Sequence, residues 1–101
     1  MQEVTIIERE PKLVVCLKGE IDSGNADAFY ESVMQEYRLA PKDVVFDCEA
    51  LSFIDSTTLG TFVKIFKQVR TDGFTMKLVH TQPRIKKLFL ICKLDTIMEI
   101  A

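Results

Sequence analysis

Leu51-Ser52-Phe53-Ile54-Asp55-Ser56-Thr57-Thr58-Leu59-Gly60 is the stretch whose reading decides the fold. It follows residues 43–48, whose centre Val44-Val45-Phe46 is β-branched and aromatic. Together these read as a strand that leads through Leu51 and Phe53-Ile54 into a buried connection. From Asp55 the period lengthens. Leu59, Phe62, Val63, Phe66 and Val69 recur at the three- and four-residue steps of an amphipathic helix. That helix starts near Asp55 to Thr57, and Gly73 stands where its C-terminus wants a left-handed residue.

A strand feeding a helix is half of a crossover unit, and the flanking segments supply the rest. Downstream, residues 75–79 read as a short strand, and Pro83 fits the first turn of a third helix with Ile85, Leu88, Phe89 and Cys92 facing inward. The tail, residues 94–100, has enough apolar positions to dock as a short helix or an edge segment. Upstream, Ala26, Phe29, Tyr30, Val33, Met34 and Tyr37 mark another amphipathic helix, with Asn25 as N-cap and Pro41 beyond its end. Residues 19–25 before it read as a loop rich in turn and cap residues. Residues 4–8 and 12–18 are β-rich runs separated by Glu10-Pro11, which predicts an antiparallel hairpin. In the second run Leu13, Val15 and Leu17 share one face while Val14 and Cys16 share the other, so the strand is expected to be central and covered on both sides.

The order β-β-α-β-α-β-α predicts an α/β fold in one domain over residues 1–101. Its sheet is mixed: an antiparallel first strand, then parallel β-α-β units with right-handed crossovers, all packed against helices.

Composition agrees. With 101 residues, 48% of them apolar and a net charge of −2, the chain has the balance of an ordinary globular domain and not of a disordered one. No apolar run approaches the ~18 residues that span a bilayer, and the start of the chain lacks the pattern of a signal peptide. A cytoplasmic protein without membrane insertion is expected. The charge is divided unevenly: residues 1–63 hold five basic and twelve acidic side chains, whereas residues 64–93 hold eight basic ones and only Asp72. Such a division gives either two solvated faces or a polarised surface that steers a charged partner. An isoelectric point near 5.4 and the lack of a recognition fingerprint argue against direct nucleic-acid binding.

The common chemistries find little to use. Cys16, Cys48 and Cys92 are an odd, widely spaced set inside apolar runs, read as reduced core residues and not as disulfides or a zinc site. Asp22, Asp47 and Asp55 lie near element ends, where capping is the simplest reading. The four glycines form no phosphate-binding loop. A nucleophilic serine lacks a partner base, since His80 is the sole histidine and falls at a strand end. No catalysis, no metal and no cofactor are expected.

What remains is the run Ser56-Thr57-Thr58 at a helix start. One cap needs one side chain, and three hydroxyls exceed that need. A hydroxyl at this place can accept a phosphoryl group. The phosphate adds about −1.5 to −2 charge beside the positive end of the helix, against the repulsion of Asp55. The consequence is a large change in surface charge with little change in fold, the physics of a binding switch.

The chain resembles the STAS domains (sulphate transporter and anti-sigma factor antagonist) over residues 12–100. Leu17-Lys18-Gly19-Glu20-Ile21-Asp22 resembles the family's strand-end motif. Residues 51–60 resemble its Asp-Ser-Ser/Ala-Gly-Leu-Gly signature, and Pro83-Arg84-Ile85-Lys86-Lys87-Leu88-Phe89 resembles its C-terminal helix. A stand-alone chain of this length is most similar to the anti-sigma factor antagonists. The resemblance implies a non-catalytic module that binds an anti-sigma factor, itself a serine kinase, and so regulates sigma-factor-dependent transcription. Phosphorylation of the serine after the signature aspartate releases the complex, and a phosphatase restores it. Ser56 takes that position, with Thr57 as the alternative acceptor. Asp22, Ser23, Gly24, Asn25, Asp55, Ser56, Thr57 and Thr58 take the partner-facing positions. A second reading keeps the fold without the switch: a constitutive adaptor or scaffold subunit, stressosome-like or accessory to lipid transport. A third is a small-ligand or nucleotide module. Two departures stand out. Thr58 replaces the signature glycine and fills space that a partner or nucleotide would need. Lys93 replaces a glycine common after the third helix, which points to a different exit from it.

Overall fold

The computed structural model describes residues 2–101, and Met1, part of the domain expected over 1–101, lies outside the described residues. The elements are β1 (Gln2–Glu8), β2 (Leu13–Ile21), α1 (Ala26–Leu39), β3 (Val44–Ile54), α2 (Ser56–Thr71), β4 (Met76–Val79), α3 (Pro83–Ile91), a 3-10 turn (Leu94–Thr96) and β5 (Glu99–Ile100). Strand order in the sheet follows chain order. β1 pairs antiparallel with β2, and every later pair is parallel. The mixed sheet and the crossover units are as expected, and the tail supplies both a helical turn and an edge strand.

Right-handed crossovers that always step the same way across a sheet leave all three helices on one face. The aromatic core shows it. Phe46 of β3 lies 6.0 Å from Phe29 of α1 and 5.3 Å from Phe62 of α2, and Phe62 lies 5.5 Å from Phe89 of α3, all ring to ring. These four rings are fully buried, and removing one such ring costs about 3–5 kcal/mol. β2 is covered on one side only, not on both as its pattern suggests. Leu13, Val15 and Leu17 are buried under the helices, but Val14 and Cys16 face the open side and are only half-buried.

Two strands run further than their pattern suggests. β2 continues through Gly19 (φ 84°) to the buried Ile21, which belongs to the strand and not to the loop. β3 runs unbroken to Ile54, where a buried connection was expected. It holds one extra residue between Asp47 and Ala50 and another between Leu51 and Phe53, relative to β2. These bulges set Cys48, Leu51 and Ile54 inward at three-residue intervals, so strict alternation fails.

Other expectations shift at element ends. Phe53 is exposed, and so is Cys92, because α3 ends at Ile91 before the stripe reaches the cysteine. Of the three cysteines only Cys48 is a true core residue, its thiol pKa pushed up to about 12 chiefly by burial. The inner face of α2 is completed by Ile65, while Val63 is half-buried. Gly73 has the left-handed φ of 87° expected after a helix. Lys93 adopts the same left-handed region at φ 59°, so the exit from α3 keeps the geometry of a glycine without the glycine. His80 lies just past β4, not within it, at φ 57°.

Candidate functional site

The parallel strands β2 and β3 end side by side, with Ile21 in register with Ile54. Each is followed at once by an aspartate, and each aspartate opens a helix junction. The two junctions meet at the same end of the sheet.

In the first, the Asp22 carboxylate accepts the Gly24 N–H at 2.8 Å, and the Asp22 carbonyl accepts the N–H groups of Asn25 and Ala26. Asn25 occupies the cap position of α1, yet its side chain does not cap the helix. Instead Oδ1 accepts the Asp22 N–H at 2.8 Å and Nδ2 donates to the Glu20 carbonyl at 3.0 Å. The side chain therefore holds the loop to the end of β2. A Cβ on Gly24 would come within 3.2 Å of the Asp22 carboxylate, which favours glycine there.

In the second junction Asp55 caps α2 as its sequence position suggests. Oδ1 accepts the Thr58 N–H at 3.0 Å. Oδ2 reaches across to accept the Ser23 N–H at 2.9 Å, joining the two junctions. The Thr58 N–H is the foremost reason that the Asp55 carboxyl titrates below its ordinary value, helped by the Thr58 hydroxyl and the Ser23 N–H. Thr58 itself is fully buried. Its Oγ1 lies 2.6 Å from the Ile21 carbonyl and 2.9 Å from Asp55 Oδ1, so its single proton is shared between the end of β2 and the cap of α2.

The residues predicted for the site are thus brought together, with unequal roles. Ser23, Gly24, Ser56 and Thr57 are exposed; Asp22, Asn25 and Asp55 are half-buried. Thr58 points inward and presents nothing to a partner. It tethers the two junctions from below, so it does not fill the space above them. Nothing local in the sequence marks Phe53 as a surface residue, because its type reads as core. It is 46% exposed one residue before Ile54, an aromatic at the rim of the same surface. A groove of about 520 Å³, lined in part by Lys12, Phe66, Arg70, Phe74 and Met98, opens at the other end of β3 and β4 and includes none of these residues. Among the described residues no helix is long and apolar enough to cross a membrane.

This end of the sheet presents two hydrogen-bonded carboxylates, a loop tied to β2 and exposed hydroxyls on the first turn of α2. The family profile for the STAS domain matches residues 3–101. The chain is 33% identical over 104 residues to the anti-sigma-B factor antagonist of Bacillus subtilis, a match covering 97% of this chain and 89% of that one. Among solved structures it superposes on an anti-sigma factor antagonist from Mycobacterium paratuberculosis with a TM-score of 0.85 at 20% identity, covering 99% and 85% of the two chains. SpoIIAA, a Bacillus cell fate determinant solved in its phosphorylated form, superposes with a TM-score of 0.69 at 20% identity, covering 100% and 91%.

Proposed function

This chain belongs to the STAS domain family, and from that premise we propose that it is an anti-sigma factor antagonist, a non-catalytic binding switch controlled at Ser56. It binds an anti-sigma factor that is also a serine kinase. Phosphorylation of Ser56 by that kinase ends the complex, and a phosphatase restores the binding form. The B. subtilis relative is named an anti-sigma-B factor antagonist and aligns over nearly the whole chain. The observation that carries the reading further is local. Ser56 is exposed on the first residue of α2, directly beside the Asp55 carboxylate that holds both junctions.

A phosphate on Ser56 brings about −1.5 to −2 charge to a surface that already holds Asp22 and Asp55. The positive end of α2 tolerates an anion there, so the fold persists while the potential seen by a partner changes sharply. A partner that meets the Ser23–Asn25 loop and the start of α2 through complementary charge is then repelled or sterically displaced.

The test is calorimetric titration with the ATP-binding anti-sigma factor from the same genome. Wild type and Ser56→Ala are expected to bind alike, and Ser56→Asp at least about tenfold more weakly, a loss near 1.4 kcal/mol. Equal affinity for all three would remove the electrostatic switch and leave a constitutive adaptor.

A further inference from the structure

The open face of the sheet carries a second cluster of chemically active side chains, apart from the residues of the switch. Asp47 and Glu49 lie on β3, and Asp47 is in register with Val79 at the end of β4. The next residue is His80. The sheet therefore gathers three potential metal donors from positions 47, 49 and 80.

We propose that Asp47, Glu49 and His80 bind a divalent transition-metal ion of the zinc class. One ligand atom from each residue lies within 4.8 Å of the other two. His80 Nδ1 is 3.2 Å from Asp47 Oδ1. In a tetrahedral zinc site with bonds near 2.0–2.1 Å, neighbouring ligand atoms are about 3.3 Å apart, so this pair already has the spacing. Glu49 is exposed, and its carboxylate already lies within 4.8 Å of the other two ligand atoms.

The backbone favours the arrangement. The first bulge of β3 falls between Asp47 and Ala50, and bulges re-aim side chains. Here the Glu49 N–H donates to Asp47 Oδ1 at 3.1 Å, which fixes one carboxylate against the strand. His80 has a left-handed φ of 57°, uncommon for a residue with a Cβ. The conformation is held from both sides of the cluster: the Thr81 N–H donates to the Ala101 carbonyl at 3.0 Å, and Gln82 Nε2 donates to the Glu49 carbonyl at 3.1 Å. An imidazole nitrogen with two carboxylates suits zinc, nickel or copper, whereas magnesium and calcium prefer all-oxygen sets. Three protein ligands leave room for water or a side chain from a docked molecule.

His80 is the only histidine of the chain, so its imidazole proton resonances can be followed directly in untagged protein. The experiment is titration of metal-free protein with zinc chloride, followed by calorimetry and by those resonances, with magnesium chloride as control. One zinc ion per chain, displaced His80 resonances and no response to magnesium are expected. Loss of a second-sphere partner already weakens metal sites roughly 10–100-fold, so His80→Ala and Glu49→Gln should each cost at least about tenfold in affinity. Circular dichroism melts verify that both variants fold. An absence of zinc binding, affinity unchanged in both variants, or affinity lost instead in Cys92→Ser, whose thiol is exposed, would overturn the assignment.

Discussion

The two strand-to-helix junctions that meet at one end of the sheet begin alike and are built differently. Both place an aspartate directly after a buried isoleucine at the end of a parallel strand. Asp22 closes its own turn on Gly24, and its loop is tied back to β2 through Asn25. Asp55 does two things: it caps its own helix and it holds the Ser23 N–H of the other junction. The first junction is self-contained, and the second is the link between them. A modification beside Asp55 therefore acts on both loops at once, whereas one beside Asp22 would act on one. That asymmetry is a physical reason for a switch to lie on Ser56 and not in the Ser23 loop.

The comparison can be broken most strongly from below. Thr58→Val keeps the shape and removes the proton given to the Ile21 carbonyl, and a buried carbonyl left without its donor costs about 1–3 kcal/mol. Chemical denaturation should show that loss, and hydrogen exchange should show faster opening of the start of α2. Asn25→Ala removes two bonds within the first junction only, and each is worth about 0.5–1.5 kcal/mol. Exchange should rise at Asp22 while α2 stays protected. If both variants loosen both junctions equally, the distinction between a self-contained and a linking junction is wrong.

Acid sharpens the same contrast with a smaller effect. The Asp55 carboxyl titrates below its ordinary 3.8, so its contribution is complete above the unfolded value and disappears as pH falls through the lower folded one. Melting temperature measured from pH 5 downward should fall more steeply for wild type than for Asp55→Asn, since asparagine still caps but does not titrate. Smallest of all is Ser56→Ala. This exposed position should change stability by no more than about 0.5 kcal/mol in the same denaturation assay, while abolishing the phosphoryl acceptor.

Much of this architecture was legible in the residues. The change from period two to period three or four at Asp55, the cap it provides, Gly73 and Pro83 all appear where the pattern puts them. The far end of β3 was not legible, because two bulges move the inward residues to Cys48, Leu51 and Ile54 and imitate an irregular connection. The same bulges explain Phe53, which the type suggests is core and the register turns outward. Cys92 follows the stripe of α3 but lies past its last turn. Sequence also singles out Asp22 to Asn25 and Asp55 to Thr58, which the fold brings together. Their division of labour was not legible, since the contacts of Thr58 with Ile21 and of Asp55 with Ser23 span 37 and 32 residues. No local pattern encodes such contacts. The Asp47–His80 approach is equally non-local, formed only when β3 and β4 pair.

The central claim is most directly tested by mapping phosphorylation. The purified protein is incubated with ATP and a lysate of its native host, with an antagonist known to be phosphorylated by that lysate as control, and its peptides are read by mass spectrometry. Modification confined to Ser56 is the predicted result. Modification at Thr57 instead, or none beside a working control, would contradict a switch at Ser56.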